Sequence, residues 1–191
     1  MAGVISGVSV SSREFIKLTI DGKVIKGNSQ VDKFEEYFEG HSPQAFRAFS
    51  GIDGAVFDIT TVCIRVTKQT QEFLELFFKR GEKNIDIEIV RRESTKSSSS
   101  YLSFKVIYYC CRLHDVMLSH DHDSNLVLEM SFSPENSVSL EMNIPSPDGK
   151  STEKLGPITY SLEKQKLYKN TECILFFSFY VMIIRAHRKI T

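Results

Sequence analysis

The chain has 191 residues, of which 41% are hydrophobic and 25% charged, with 24 basic side chains against 24 acidic ones. That length suits one domain with a substantial core and is short for two. A zero formal net charge excludes a global electrostatic pull toward nucleic acid or anionic lipid.

Residues 1–12 are small and polar, with neither a basic leader nor an apolar run, so no ordinary cleaved secretory signal is expected. Residues 14–20 predict a first strand with Ile16, Leu18 and Ile20 on one face, followed by the tight-turn pair Asp21-Gly22. A polar stretch over 26–32 leads to a second strand predicted at 34–39. Residues 40–54 read as loop, given Pro43, Gly51 and Asp53-Gly54. Residues 56–66 predict one long strand whose apolar set changes phase between Ile59 and Val62, as a β-bulge would cause.

A helix is predicted over 67–80, its apolar stripe being Phe73, Leu74, Phe77 and Phe78 and its packing residues Phe73, Leu74 and Phe77. Thr67 or Thr70 caps its start, Glu75 and Lys79 lie on its exposed side, and Gly81 ends it. Strands then follow at 84–91, 101–112, 115–119, 125–132, 138–144 and 156–162. Most alternate strictly, as in Leu126, Leu128, Met130 and Phe132 against Glu129 and Ser131. One wet and one buried face per strand, with a single helix, predicts a mainly β fold: an antiparallel β-barrel with one flanking α-helix.

Chemistry-bearing motifs are sparse. The four cysteines, Cys63, Cys110, Cys111 and Cys173, include no CxxC pair, and neighbours in a strand point to opposite faces. Buried free thiols in a reducing cytoplasm are expected rather than a disulfide framework. His114, Asp115, His120, Asp121, His122 and Asp123 hold potential metal ligands, but the string between two strands also carries turn residues, and a solvated hairpin loop explains it without a metal. No nucleophile elbow, phosphate loop or zincin motif occurs. The basic groups at 79–80, 91–92 and 164–169 are short and mixed with acids, which argues against a nucleic-acid surface. No catalytic, cofactor-binding or metal-ligating residue is assigned, and no enzyme activity is expected.

Residues 173–184 (CILFFSFYVMII) are almost wholly apolar, yet twelve residues are too few for a helix to span the ~30 Å hydrocarbon core of a bilayer. A buried element, a dispensable tail or an interfacial anchor flanked by Arg185, Arg188 and Lys189 are the possible roles.

Several stretches, in order, resemble the Hcp family, the tube proteins of bacterial type VI secretion systems: FIKLTIDGKVIKGNS (15–29) with FEEYFEGHS; VFDITTVCIRVTKQTQEFLELFFKRGEKNIDIEIVRRE (56–93); YLSFKVIYYCCRLHDVMLSH (101–120); and LVLEMSFSPENSVSLEMN (126–143) with GPITYSLEKQK (156–166). The specific element is the order of parts, with one helix between strands. The resemblance covers 13–167, leaving 168–191 as an atypical hydrophobic C-terminal tail. It implies a barrel with a helix packed on its side, homo-hexameric rings stacking into a tube, and sheath and spike components as partners. It also implies synthesis in the cytoplasm and secretion through the type VI system, with no nucleic-acid partner. Phage tail-tube proteins share this architecture. Ring contacts are expected at the loop 26–32 and at strand ends. The alternative is a stand-alone β-barrel binding module whose tail contacts a membrane.

Overall fold

The computed structural model describes residues 14–79, 84–94, 100–148 and 150–168. Strand β1 (Glu14–Ile20) turns through Asp21-Gly22, both at positive φ, into β2 (Lys23–Ile25). Next come β3 (Phe38–His41), β4 (Ala48–Gly51), β5 (Gly54–Phe57) and β6 (Thr60–Arg65). A 3-10 turn (Lys68–Thr70) leads into helix α1 (Gln71–Phe78). The remaining strands are β7 (Ile85–Ser94), β8 (Ser100–His120), β9 (Leu126–Pro145), β10 (Thr152–Ser161) and β11 (Lys166–Tyr168).

Six strands close on themselves in the order β9-β6-β3-β1-β7-β8, with β8 pairing back onto β9, and every pairing is antiparallel. A closed barrel leaves those strands with no open edge where they pair. β2 pairs with β1, while β10 and β11 continue the sheet outward from β9. The predicted fold, a mainly β antiparallel barrel with one helix, is the fold observed.

The barrel interior follows from period-two alternation. Ile16, Leu18 and Ile20 of β1 meet Ile89, Ile87 and Ile85 of β7 across the ladder, and all six are buried. Val106 and Tyr108 of β8 and Leu128, Met130 and Phe132 of β9 complete the same core. At ~25 cal/mol per Å² of apolar surface, burial on this scale is the main force holding the barrel. A second, smaller cluster lies on the outer wall. There Phe15 stacks on Phe34 with ring centroids 4.4 Å apart, and Val90 joins them.

That outer cluster fixes the connection between β2 and β3. Residues 34–37, predicted as strand, instead form turns that fold back over β1 and β7, and the strand begins only at Phe38. Gly27 is needed in this fold-back, since a Cβ there would stand 1.9 Å from the Tyr37 carbonyl oxygen.

Other boundaries also differ from the sequence reading. The predicted strand 56–66 is two strands, β5 and β6, in different sheets, so its phase change marks a crossing between sheets rather than a bulge. The reverse holds for β8 and β9, each predicted as two strands and each continuous. Register shifts at Tyr109/Cys111 and Leu113/Asp115, with Cys110 at φ 52°, supply the phase changes there. These bulges bend the long hairpin so that its two halves serve different walls of the barrel. β11 was not foreseen, and it places Tyr168 in the sheet, paired with Thr159. Residues 169–191, including the predicted tail segment 173–184, lie outside the described residues, as does Gly81.

Helix α1 is shorter than expected, because a 3-10 turn capped by Thr67, whose side chain accepts from the Gln69 N–H, takes up its first residues. The buried helix residues are Phe73 and Leu76, with Leu74 partly covered. Phe77 is half-buried, and Phe78 is 78% exposed. Leu76, not Phe77, is the second anchor. The helix caps the end of the barrel where β1 and β6 finish and β7 begins.

Candidate assembly surface

Among the described residues, several exposed apolar side chains gather on a hairpin in the stretch predicted as loop. β4 and β5 form a separate two-stranded sheet joined by Ile52-Asp53, with Gly51 opposite Gly54. It leaves the barrel just before β6, which begins at Thr60. Its underside is anchored. Phe57 packs on Phe46 and on Tyr160, with ring centroids 6.0 Å and 5.8 Å apart. The Tyr160 hydroxyl accepts from the Ala55 N–H at 3.1 Å, and the Tyr108 hydroxyl donates to the Ala45 carbonyl at 2.7 Å. Arg47 and Asp58 close the base as an ion pair at 3.3 Å. Gly54, at φ 139°, permits the approach, since a Cβ there would lie 2.0 Å from the Tyr160 hydroxyl oxygen.

The other side of the hairpin is bare. Phe49 and Val56, directly opposite each other across the ladder, are 45% and 55% exposed, and Ile52 at the turn is fully exposed. Single exposed apolar residues are ordinary, but three grouped on an anchored projection form a patch of the kind that meets a partner. The sequence carried a signal for this hairpin in the paired glycines flanking a two-residue turn. It had little alternation to support it, because of the two strands only Phe57 packs against the barrel core.

A groove of about 610 Å³ runs between α1 and the middle of β8. Leu76, Phe78 and Leu113 line it, together with Cys110 and the paired Arg112 and Glu135 at its rim.

Polar groups elsewhere are engaged in holding the wall. The buried Glu88 accepts from the Tyr37 hydroxyl at 2.6 Å and pairs with Lys105 at 3.0 Å and Lys17 at 3.8 Å. Burial and the neighbouring Glu88 carboxylate hold the Tyr37 phenol well above its ordinary range. Glu14, also buried, accepts from the Ser42 N–H at 2.7 Å and lies 3.5 Å from both His41 and Arg91. The loop 26–32, expected to carry ring contacts, is partly tied down by the Ser29 and Val31 contacts that fold it onto this wall.

The histidine and aspartate cluster is the β8–β9 turn. Asp121 accepts from the backbone N–H groups of Asp123 and Asn125 at 2.9 and 2.8 Å, which holds its carboxyl below the ordinary range. His114 is within 2.8 Å of the Ser133 hydroxyl and apart from that turn. Among the described residues, no three His, Cys, Asp or Glu side chains gather as a metal site. Cys63, Cys110 and Cys111 are free thiols, but only Cys111 is fully buried. Burial, with help from Glu129, pushes the Cys63 thiol up to about 11, and burial raises Cys110 and Cys111 as well. Such thiols are poor nucleophiles near neutral pH. Among the described residues, no helix is long and apolar enough to cross a membrane.

No protein-family model and no curated protein matches the sequence. Solved structures do match the fold. One is a type six secretion system protein, with TM-score 0.57 and 16% identity over 81% of this chain and 99% of that one. Hcp1 from Salmonella typhimurium matches with TM-score 0.56 and 17% identity over 82% of this chain and 99% of its own. A type VI secretion system effector from Yersinia pestis matches with TM-score 0.52 and 13% identity, over 77% and 99%. Identity this low carries architecture and no residue roles. The chain has the fold of the Hcp proteins of type VI secretion systems.

Proposed function

We propose that the chain is a structural tube subunit of a type VI secretion system, made in the cytoplasm and exported through that system. In this reading it assembles into hexameric rings that stack into a tube and meet sheath and spike components. The observation that carries the reading is the closed barrel with an anchored, apolar hairpin projecting from it, in a fold shared with Hcp structures along nearly their whole length. A subunit of a cyclic assembly needs two different patches that meet head to tail. An exposed hairpin on a rigid base is one such patch. The number six rests on the Hcp resemblance. The reading assigns no catalytic role, and it treats residues 13–167 as the assembling unit and 168–191 as an appended tail.

Electron microscopy of the purified chain, with and without residues 170–191, tests this. Rings with a central hole are expected from both forms. Rings from neither, with the barrel's circular dichroism intact, would reject the tube reading and favour a stand-alone binding module. Rings lost only on truncation would show that the tail belongs to the assembling unit.

A further inference from the structure

We propose that residues 169–174 continue β11 as a strand along the open edge of β10, so that the segment after Tyr168 covers an edge of its own chain's sheet. This inference stands apart from the tube-subunit reading. β10 has ten residues, and on its outer edge β11 covers only Thr159–Ser161. Among the described residues no strand meets that edge from Thr152 to Ile158. It therefore offers a row of main-chain N–H and C=O groups to a further strand, interrupted only at Pro157, which has no N–H. Ile158 on this edge and Ile144 on the neighbouring β9 are 48% and 52% exposed, so apolar surface lies bare beside it.

Chain continuity, register and charge favour the chain's own tail as the occupant. Tyr168 stands opposite Thr159 with β11 antiparallel to β10, so the next residue, Lys169, reaches Ile158 with no intervening loop and no closure cost. β10 takes three steps between Leu155 and Ile158 where β9 takes two, between Met142 and Leu140. A strand on the other edge that also takes two steps there puts Glu172 opposite Lys154. Lys154 is the last member of a ladder of alternating charge across the wall. Glu88 of β7 lies between Lys17 and Lys105, Lys105 stands opposite Glu141 of β9, and Glu141 pairs with Lys154 at 2.9 Å. Glu88, Lys105 and Glu141 thus have an opposite charge on both sides. Among the described residues Lys154, its side chain 57% exposed, has one on the β9 side only. Glu172 supplies the other, and an opposite-charge pair directly across a ladder is stabilising. The tail of a second copy would meet the same chemistry, but it loses association entropy that a tethered segment keeps.

The same register sets Cys173 opposite Glu153, which provides the test. Residues directly opposite in an antiparallel pair have Cα atoms about 4.5–5.5 Å apart, within the range a disulfide bridges. The full chain carrying Glu153→Cys, kept dilute and oxidised with copper phenanthroline, should give a 153–173 disulfide within single chains on peptide mapping. Leu155→Cys, two residues out of register, should link to Cys173 about fivefold less or weaker still. In native-state hydrogen exchange, Cys173→Pro should speed exchange of the segment 152–158 about tenfold or more, with β1 and β7 unchanged. Absence of the 153–173 link, equal linking from Leu155→Cys, or unchanged exchange in Cys173→Pro would overturn the proposal. A link found only between chains would overturn it too, by giving the edge to a second copy. None of these outcomes depends on whether rings form, so failure here leaves the tube reading standing.

Discussion

Truncating Phe73 probes whether α1 is part of the barrel core or an ornament on it. Phe73 is 2% exposed and packs in the main cluster, whereas Phe78, five residues on, is 78% exposed. Removing a buried phenylalanine ring typically costs about 3–5 kcal/mol, from the lost transfer energy and the cavity left behind. Against a domain stability of ~5–15 kcal/mol this is a large fraction. At ~2–4 °C per kcal/mol for a chain of this size, Phe73→Ala should lower the melting temperature by roughly 6–20 °C. Phe78→Ala should stay within about 0.5 kcal/mol of the native protein. The chain has no Trp, so far-UV circular dichroism is the suitable probe. Dilute protein is required, because assembly itself raises apparent stability. Similar small shifts from both substitutions would refute the placement of α1 as the cap of the barrel.

Other expectations follow from the polar wall and the thiols. Glu88→Ala leaves the Tyr37 hydroxyl, Lys105 and Lys17 without their shared partner and should cost about 1–3 kcal/mol in urea unfolding; no loss would show that water replaces the carboxylate freely. Asp86 accepts from the Cys110 N–H at 2.9 Å, and burial raises its carboxyl above the ordinary range. The ionised form is therefore penalised in the fold: its contribution favours folding below the unfolded carboxylate value and is lost as pH rises through the higher folded value. Asp86→Asn keeps an acceptor without the charge, so its urea midpoint should equal or exceed the native one at pH 7 and lose that advantage by about pH 3.5. A lower midpoint at pH 7 would contradict this. Iodoacetamide at pH 8 should label native Cys63 slowly, since a thiol at about 11 is only ~0.1% thiolate there, and buried Cys111 last; rapid labelling of Cys111 would show the β8 bulge opening.

Much of the barrel was legible because its strands have one wet and one dry face. β1 was readable to the residue, since Ile16, Leu18 and Ile20 share a face and Asp21-Gly22 ends it. The long strands β8 and β9 were harder. A bulge at Cys110, or the stretch around Pro134, breaks alternation just as a turn between two strands does. Only the cross-strand pairing shows that the chain runs on. The opposite error at 56–66 has the same cause, a phase change whose meaning depends on which sheet each half joins. On α1, a 3-10 turn takes up residues 68–70, and Leu76 rather than Phe77 lies in the core. The candidate site was the least legible part. Phe49, Ile52 and Val56 project from a sheet with little burial on either face, so neither period two nor hydrophobic content marks it. The groove between α1 and β8 is formed by residues far apart in sequence.

The central claim is that this barrel is a ring-forming subunit, and native mass spectrometry of the full chain tests it most directly. The account expects six copies in one particle at micromolar concentration, by the Hcp resemblance. A folded monomer at high micromolar concentration would contradict it.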